Sequence, residues 1–484
     1  MPFVIGIDVG SQSVKGVMLD PDEVESAVAS SSLVMTHPHA GWAEQDPRDW
    51  ESAIVEVVDR ILQRSHVNGR DVGVLSLACQ VDGVVAIDVD GRALGPAIIW
   101  LDRRAESQAR AFSQKVGRQR LSEITGLVPD PSHQGPKIIW LRENNHAIFA
   151  AAAGFPPTTG YLVHWLTNEL CVDHANASSS LLYDVRERRW SEELVEAAGL
   201  DVRLLGRIHE SSQIVGTLSR RAAEQTGLST ECAVLTGTGD DHAGSIGAGA
   251  VAPGIISDIT GTAEPVTVGS NEFVLDHEGL VETHAHAVPG RYLVENPGFV
   301  SGGSTLWLAK IVLKVSQTKF FELAAQAPPG SDGVVFLPAL SGAMAPRWNG
   351  QMRGTFAGLA MSHTASHLAR AVLEGCAFAL RAVTDRFAAL ELGRDEIRVV
   401  GGGGQSALWM QIKADATKRP VRVVLTKEAT ALGAAMIAGV AGGLFIDLDD
   451  AVERTVELAE KPFLANPQDQ GAMDHSLRTL SCAF

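Results

Sequence analysis

Val4-Ile5-Gly6-Ile7-Asp8-Val9-Gly10-Ser11-Gln12-Ser13-Val14-Lys15-Gly16-Val17 is the stretch that decides the fold. Val4, Ile5 and Ile7 form one β-rich run and Val14 to Leu19 a second, with a Gly/Ser/Gln turn between them. Two apolar strands joined by so short a polar turn predict a hairpin. Gly10 permits a tight backbone and the close approach of a ligand. Ser11, Ser13, Lys15 and the turn N–H groups are donors suited to a phosphate oxygen. Asp8 closes the first strand and points to the same place, where a carboxylate suits a hydrated Mg²⁺. The plain alternative is an edge hairpin with a polar tip.

The chain of 484 residues has room for two or three domains. Its 45% hydrophobic and 20% charged residues match a soluble globular protein. A net charge of −17 speaks against nucleic acid or an anionic membrane as partner, since both want a basic surface. The cysteines Cys79, Cys171, Cys232, Cys376 and Cys482 are scattered and form no C-x-x-C. They predict a reducing compartment, without a disulfide framework or a zinc knuckle. Asp8 interrupts the apolar start too early for a signal peptide. The run from Ala431 to Ile446, rich in Gly and Ala, is too short to span a bilayer and predicts a tightly packed buried helix and turn. Together these features predict a cytoplasmic protein.

Along the chain, the polar loop from Thr36 to Pro47 leads into a helix opened by Asp46-Pro47, with Trp50, Ile54, Val57, Val58 and Ile61 as its apolar stripe. Val72 to Ala78 predicts a buried strand ending at Cys79-Gln80-Val81-Asp82-Gly83, and Val84 to Ile87 its partner strand. Gln80, Val81 and Asp82 then lie at a strand end, where open α/β sheets bind ligands. Ile98 to Arg104 predicts a strand leading into a charged helix, and Lys137 to Glu143 the start of another helix. Residues 155–230 predict a helix-rich insertion with few strands. Ala233-Val234-Leu235 then runs into Thr236-Gly237-Thr238-Gly239-Asp240-Asp241-His242 and a small-residue helix over Ala243 to Ala250. Capping a helix needs one carboxylate. Two, with flanking glycines clearing space, predict a reactive one.

The second half echoes the first. Ile255 to Ile259, the turn Thr260-Gly261-Thr262-Ala263-Glu264 and Val266-Thr267-Val268 form another strand–turn–strand with a phosphate-friendly tip, an internal repeat. His284 and His286 share a strand face, but the sequence offers no third ligand nearby, so a metal reading is not favoured. A long helix from about Thr364 carries the stripe Leu368, Val372, Cys376, Ala379, Val383 and Phe387. The strand Ile397 to Val400 runs into Gly401-Gly402-Gly403-Gly404-Gln405-Ser406. Four glycines after a strand let a flat ring or a phosphate lie on bare backbone, with neither Walker A nor dinucleotide-fingerprint spacing.

In this order and spacing, nearly the whole chain resembles the FGGY carbohydrate kinases, and within them the xylulokinase group. Asp8 to Lys15 is similar to the family's first phosphate motif, and Gly41-Trp42-Ala43-Glu44-Gln45-Asp46-Pro47 to the G-W-x-E-Q-D-P segment. Gly239-Asp240-Asp241 resembles the motif with the catalytic aspartate, and Thr260-Gly261-Thr262 the second phosphate motif. Gly354 to Glu374 is similar to the C-terminal signature and Gly401 to Gln405 to the adenosine motif.

The resemblance implies an α/β fold of two actin-like, ribonuclease H-like domains around a nucleotide/sugar cleft. The sugar-binding domain would span 1–245 and the ATP-binding domain 246–484. It implies ATP and Mg²⁺, transfer to a terminal hydroxyl of a ketopentose or polyol, Asp240 as general base and Asp8 holding Mg²⁺ through water. Gln80, Val81, Asp82, Asp240 and Asp241 would bind the sugar. Gly10, Ser11, Gln12, Ser13, Lys15, Thr260, Gly261, Thr262 and Gly401 to Gln405 would bind the nucleotide. The partners would be a small sugar and ATP, and family members are often dimers.

Two positions depart from the pattern. Gln80-Val81-Asp82-Gly83 stands where xylulokinases usually carry Q-M-H-G, and Gln12 where Ser or Thr is usual. The first departure leaves three readings: a D-xylulose kinase; a kinase of D-ribulose, L-xylulose or a polyol; or a silent sugar or nucleotide sensor, against which Asp8 and Asp240 argue.

Overall fold

The computed structural model describes residues 2–21, 27–345 and 347–483. Two mixed sheets organise them. The first runs, edge to edge, through Ile214–Thr217, Ala233–Leu235, Val72–Cys79, Phe3–Val9, Ser13–Leu19 and Ala27–Ser32, and Thr238–Gly239 also pairs with Val72–Cys79. The second runs through Glu282–Ala285, Tyr292–Asn296, Val266–Ser270, Ile256–Ile259, Ile397–Val400 and Val421–Val423. Each contains an antiparallel hairpin whose first strand also pairs in parallel with a strand much later in the chain. This is the repeat expected from the two β-turn-β stretches. Phe3–Val9 is a central strand, which removes the edge-hairpin alternative.

The helix Pro47–Ser65 begins as its sequence dictates: Asp46 caps it by accepting from the Arg48 N–H, Pro occupies the first turn, and the predicted stripe is buried. The predicted long helix spans Ala365–Ala389, and its Val372, Cys376, Ala379, Val383 and Phe387 are buried in the second core. Cys79, Cys171, Cys232 and Cys376 are buried free thiols; the Cys482 side chain lies outside those described. Among the described residues no helix is long and apolar enough to cross a membrane.

Three expectations change. Val84 to Ile87 is not a strand: Val84 makes a single bridge to Ile98, and Ile87 bridges Ala93 and Gly154. Its apolar run records burial of all four residues in an irregular loop. Of the next predicted strand, Ile98 to Arg104, only Ile98 is extended, joined with Ala97 in a two-residue strand. Residues 155–230 are not a separate insertion, since Ile214–Thr217 joins the first sheet and the helix Thr158–Thr167 supplies Tyr161, Leu162, Val163 and Leu166 to its core.

The small-residue helix begins earlier than predicted and spans Asp240–Gly247. It lies against a second small-residue helix, Ala429–Ala441, whose Ala431, Leu432, Ala435, Met436 and Ile437 cover one face of the first sheet. Bare backbone meets bare backbone there. A Cβ on Gly433 would sit 1.9 Å from the Ala243 carbonyl oxygen, one on Gly247 1.8 Å from that of Ala429, and one on Gly6 2.2 Å from the Ala435 nitrogen. Gly433→Ala is therefore expected to cost about 1–3 kcal/mol or more through overpacking. Gly471→Ala, where a Cβ meets open space, should stay within about 0.5 kcal/mol of wild type. Denaturant unfolding of the two variants checks this, and equal midpoints would refute the close approach.

Candidate active site

Strand register assembles the site. Val9 pairs with Cys79, and Cys79 with Gly239, so Gly10, Gln80 and Asp240 leave the sheet side by side at the carboxyl ends of parallel strands. Asp240 and Asp241 form the first turn of the helix they open. The Asp241 N–H donates to Asp240 Oδ1 at 3.1 Å and the His242 N–H to Asp241 Oδ1 at 2.8 Å. Gly239 has no room for a side chain, because its Cβ would lie 2.6 Å from both Val81 Cγ1 and Asp241 Oδ1.

Burial, and then the neighbouring Asp240 charge, push the Asp8 carboxyl up to about 8, although Lys15 pulls it down. Burial pushes Asp240 up to about 6, against the Asp241 N–H that stabilises its anion. Asp241 lies well above the usual carboxylate range, through burial and then the charges of Glu295 and Asp240.

The first turn is held from behind. Gly10 N–H donates to the Ser13 carbonyl at 3.1 Å, Leu33 N–H to the Gln12 carbonyl at 2.8 Å, and Gln45 Nε2 to the Ser11 carbonyl at 2.9 Å. Gln12 is exposed. Lys15 is not a free donor, since its ammonium pairs with Glu428 at 2.8 Å. Gln80 differs from expectation more sharply: it is 1% exposed and its Nε2 donates to Gln45 Oε1 at 2.7 Å. Its amide nitrogen braces the turn through Gln45, while its Oε1 is buried without a hydrogen-bond partner among the described residues. Val81 and Asp82 do retain exposure.

Asp82 adopts a left-handed backbone with φ +62°, tolerated by Asp better than by most residues. Lys137 Nζ donates to the Asp82 carbonyl at 2.7 Å and to that of Ile99 at 2.9 Å. His133 Nδ1 lies 3.4 Å from Asp82 Oδ1. Burial alone would lower the His133 imidazole, but Asp82 and Glu282 outweigh it and hold it well above the histidine range.

The second turn and the glycine run form one surface. Ile259 pairs in parallel with Val400, Thr260 N–H donates to the Val400 carbonyl at 2.9 Å, and Gly403 N–H approaches the Thr260 carbonyl at 3.4 Å. Gly401, at φ +93°, needs its lack of a side chain, because a Cβ would meet the Thr260 carbonyl at 2.8 Å. Gly261, Thr262, Gly401, Gly402 and Gln405 are exposed, whereas Gly403 and Gly404 are half-buried. Thr260 turns its hydroxyl inward: Oγ1 donates to Asp258 Oδ1 at 3.0 Å and accepts from Lys413 Nζ at 2.6 Å. Lys413 also meets Asp258 Oδ2 at 2.6 Å and Glu264 Oε1 at 3.1 Å, with all three side chains fully buried. Burial would lower the Lys413 ammonium, but the two carboxylates more than restore it. Burial, then Asp258, raises Glu264 to about 7.

Sequence reasoning did not single out His133, Lys413, Glu428 or Glu295 as site residues. His133, Lys413 and Glu428 reach Asp82, Asp258 and Lys15 from distant parts of the chain, and Glu295 meets His284 from the neighbouring strand, so none belongs to a local pattern; only Glu264, at the end of the second turn, stood inside a motif. The expectation that no third ligand stands near His284 is overturned. Glu282 shares its strand face, and Glu295 on the neighbouring strand places Oε1 3.1 Å from His284 Nε2. His286 turns away, its Nδ1 accepting from the Val288 N–H at 2.8 Å.

Known proteins share this architecture. The N-terminal domain model of the FGGY family of carbohydrate kinases matches residues 3–247, and its C-terminal domain model residues 259–442. The xylulose kinase of Lactococcus lactis is 30% identical over 97% of this chain and 94% of its own. The glycerol kinase of Thermococcus kodakarensis is also 30% identical, over 93% and 90%. The crystal structure of xylulose kinase from Rhodospirillum rubrum superposes with a TM-score of 0.91 at 28% identity, covering 99% of this chain and 98% of that one. Fold and matches define a two-domain phosphotransferase with an alcohol group as acceptor, of the actin-like ATPase fold. The chain belongs to the FGGY family of carbohydrate kinases, whose members act on a small sugar or polyol with ATP as co-substrate.

The Lys413 cluster yields a test. Lys413→Met leaves Asp258 and Glu264 buried without their cation, and should destabilise the fold by about 3–5 kcal/mol. The deficit should shrink at mildly acidic pH, because a buried carboxyl with a raised pKa loses stability as pH rises through it. Urea unfolding at two pH values checks this, and an unchanged midpoint would show that the ammonium is dispensable.

Proposed function

We propose that the protein transfers the γ-phosphoryl group of ATP to a terminal hydroxyl of a ketopentose, D-xylulose foremost. The sugar lies on the half formed by residues 1–245 and the nucleotide on 246–484. The observation that carries this reading is Asp240: a carboxylate at a helix start, in register with the Asp8 strand and beside Val81. Phosphoryl transfer needs positioning and charge neutralisation more than covalent help. Asp240, raised to about 6, is a base matched to neutral pH that takes the proton of the attacking hydroxyl. Val81, Asp82 and Asp241 hold the sugar, and Gln80 supports them from behind.

The turn from Gly10 to Ser13 and the exposed Gly261 and Thr262 clasp the phosphates, with Lys15 joining once released from Glu428. Gly401 to Gly404 and Gln405 receive the adenosine. The Asp240 charge raises the proton affinity of Asp8, and Lys15, the ammonium beside Asp8, is engaged by Glu428. That excess negative charge fits a divalent cation. Asp8 is the residue that would hold Mg²⁺, which supplies charge neutralisation at the phosphates.

One observation favours a second reading, a kinase of another pentulose or of a polyol. Asp82, not His, stands at the substrate position, with His133 beside it. An ionised carboxylate only accepts hydrogen bonds, so it prefers two hydroxyl donors to a carbonyl oxygen.

Asp240→Asn should lower kcat by roughly 10²- to 10⁴-fold and leave KM for sugar and ATP close to wild type. In the wild type, kcat/KM should fall with decreasing pH below about 6, as Asp240 takes up a proton. Turnover of the variant within a few-fold of wild type would show that the base is misassigned. ADP release equal with and without every sugar tested would indicate an ATPase.

Val81→Met combined with Asp82→His should shift preference toward D-xylulose by roughly 5- to 150-fold, the range for one mispaired buried polar group. The measurement is kcat/KM for D-xylulose, D-ribulose, L-xylulose and pentitols in both proteins. An unchanged ranking would place Asp82 outside the sugar site.

A further inference from the structure

Glu282 and Glu295 stand directly opposite each other on neighbouring antiparallel strands, both about 95% buried or more. Like charges at that position repel, and burial removes the water that would screen them. His284 sits two residues from Glu282, on the same face. One ligand atom from each of the three side chains lies within 4.8 Å of the others. His284 Nε2 is 3.1 Å from Glu295 Oε1 and 3.9 Å from Glu282 Oε2. Two ligands bound at about 2.1 Å to one ion are separated by about 3.0–3.4 Å, so small side-chain movements bring all three onto a common centre.

The outward atoms are held and the inward ones are not. Glu282 Oε1 accepts from the Val128 N–H at 2.7 Å, and His284 Nδ1 lies 3.4 Å from Ser179 Oγ. Beyond the 3.1 Å ion pair of His284 Nε2 with Glu295 Oε1, His284 Nε2 and Glu295 Oε2 have no further hydrogen-bond partner among the described residues, although their side chains are only 2% and 5% exposed. Holding the far atom of a ligand so that the near one is oriented toward a common centre is how proteins build metal sites. Val128 and Ser179 come from the first half of the chain and the three ligand residues from the second, so the cluster lies at the junction of the two.

We propose that Glu282, His284 and Glu295 bind a divalent transition-metal cation, Zn²⁺ or Mn²⁺, at the junction of the two halves. One imidazole nitrogen with two carboxylates suits these ions better than Mg²⁺, which prefers oxygen ligands and retains its waters. The site is separate from the cation position at Asp8 and does not depend on the kinase reading.

The test uses the full chain, stripped with a chelator and dialysed against Zn²⁺ or Mn²⁺ alone, without nucleotide or sugar. Bound metal is measured by elemental analysis, and Tm with and without the ion. Wild type and Asp8→Asn are expected to take up a single equivalent at low micromolar metal and to gain Tm. Glu295→Gln and His284→Gln should bind none, and Ser179→Ala should bind roughly 10- to 100-fold more weakly. Wild type that takes up no metal, or ligand variants that bind as well as wild type, would overturn the proposal. Should the ligand variants not fold, anomalous diffraction at the zinc edge from metal-soaked wild-type crystals decides. A peak between the three side chains supports the site, and its absence there refutes it.

Discussion

The contact on which the rest of the structure depends is the side-chain-free crossing of the helices Asp240–Gly247 and Ala429–Ala441. Gly247 and Gly433 let each helix rest on the other's carbonyls, and Gly6 lets the second helix settle onto the first sheet. Both helices start at charged residues. One opens with Asp240 and Asp241, and the other follows Glu428, which engages Lys15 in the opposite half. The spacing of the crossing therefore sets where the paired aspartates stand relative to Asp8 and the first turn. Small residues are required there by geometry, so the apolar run near the C-terminus reads as a packing device.

The protein buries charge in two contrasting ways. Behind the second turn, Lys413 serves Asp258, Glu264 and Thr260 together, a compensated cluster that fixes the turn's backbone and leaves Gly261 and Thr262 facing outward. Compensation of this kind adds little net stability but makes alternative arrangements costly. At the junction of the two halves, the carboxylates of Asp82, Glu282 and Glu295 alternate with His133 and His284, with no lysine or arginine among these five. Apart from Lys137, whose ammonium meets the Asp82 carbonyl, such a chain is balanced by protons or bound cations, so its state responds to whatever occupies the neighbouring site.

Much of this was legible in the sequence because it is local. The two strand–turn–strand stretches, the Asp46 cap with Pro47, and the stripe on Ala365–Ala389 each follow from residues within a few turns of one another. Order and spacing then placed Asp8, Asp240 and the glycine run at strand ends. What was not legible is what the fold brings from afar. That the Gln80 amide also braces the first turn shows only through Gln45, 35 positions away in the chain. Val84 to Ile87 reads like a strand because it is apolar and largely β-branched, yet all four residues are buried in an irregular loop. Glu282 went unnoticed beside His284, since its significance comes from Glu295 across the sheet.

The helix Ala429–Ala441 also has a consequence for how the protein is made. Val4, Val17, Leu19, Val74 and Leu235 form an apolar face of the first sheet that Ala431, Leu432, Ala435, Met436 and Ile437 cover. The last strand of that sheet leaves the ribosome about 200 residues before its cover does, a delay of roughly 10–40 s at ordinary rates of synthesis. For that interval the first sheet is assembled but open on one side, a greasy surface in a crowded cell. The nascent chain is thus a natural client for chaperones, and truncation before residue 431 leaves the N-terminal half sticky, not merely incomplete.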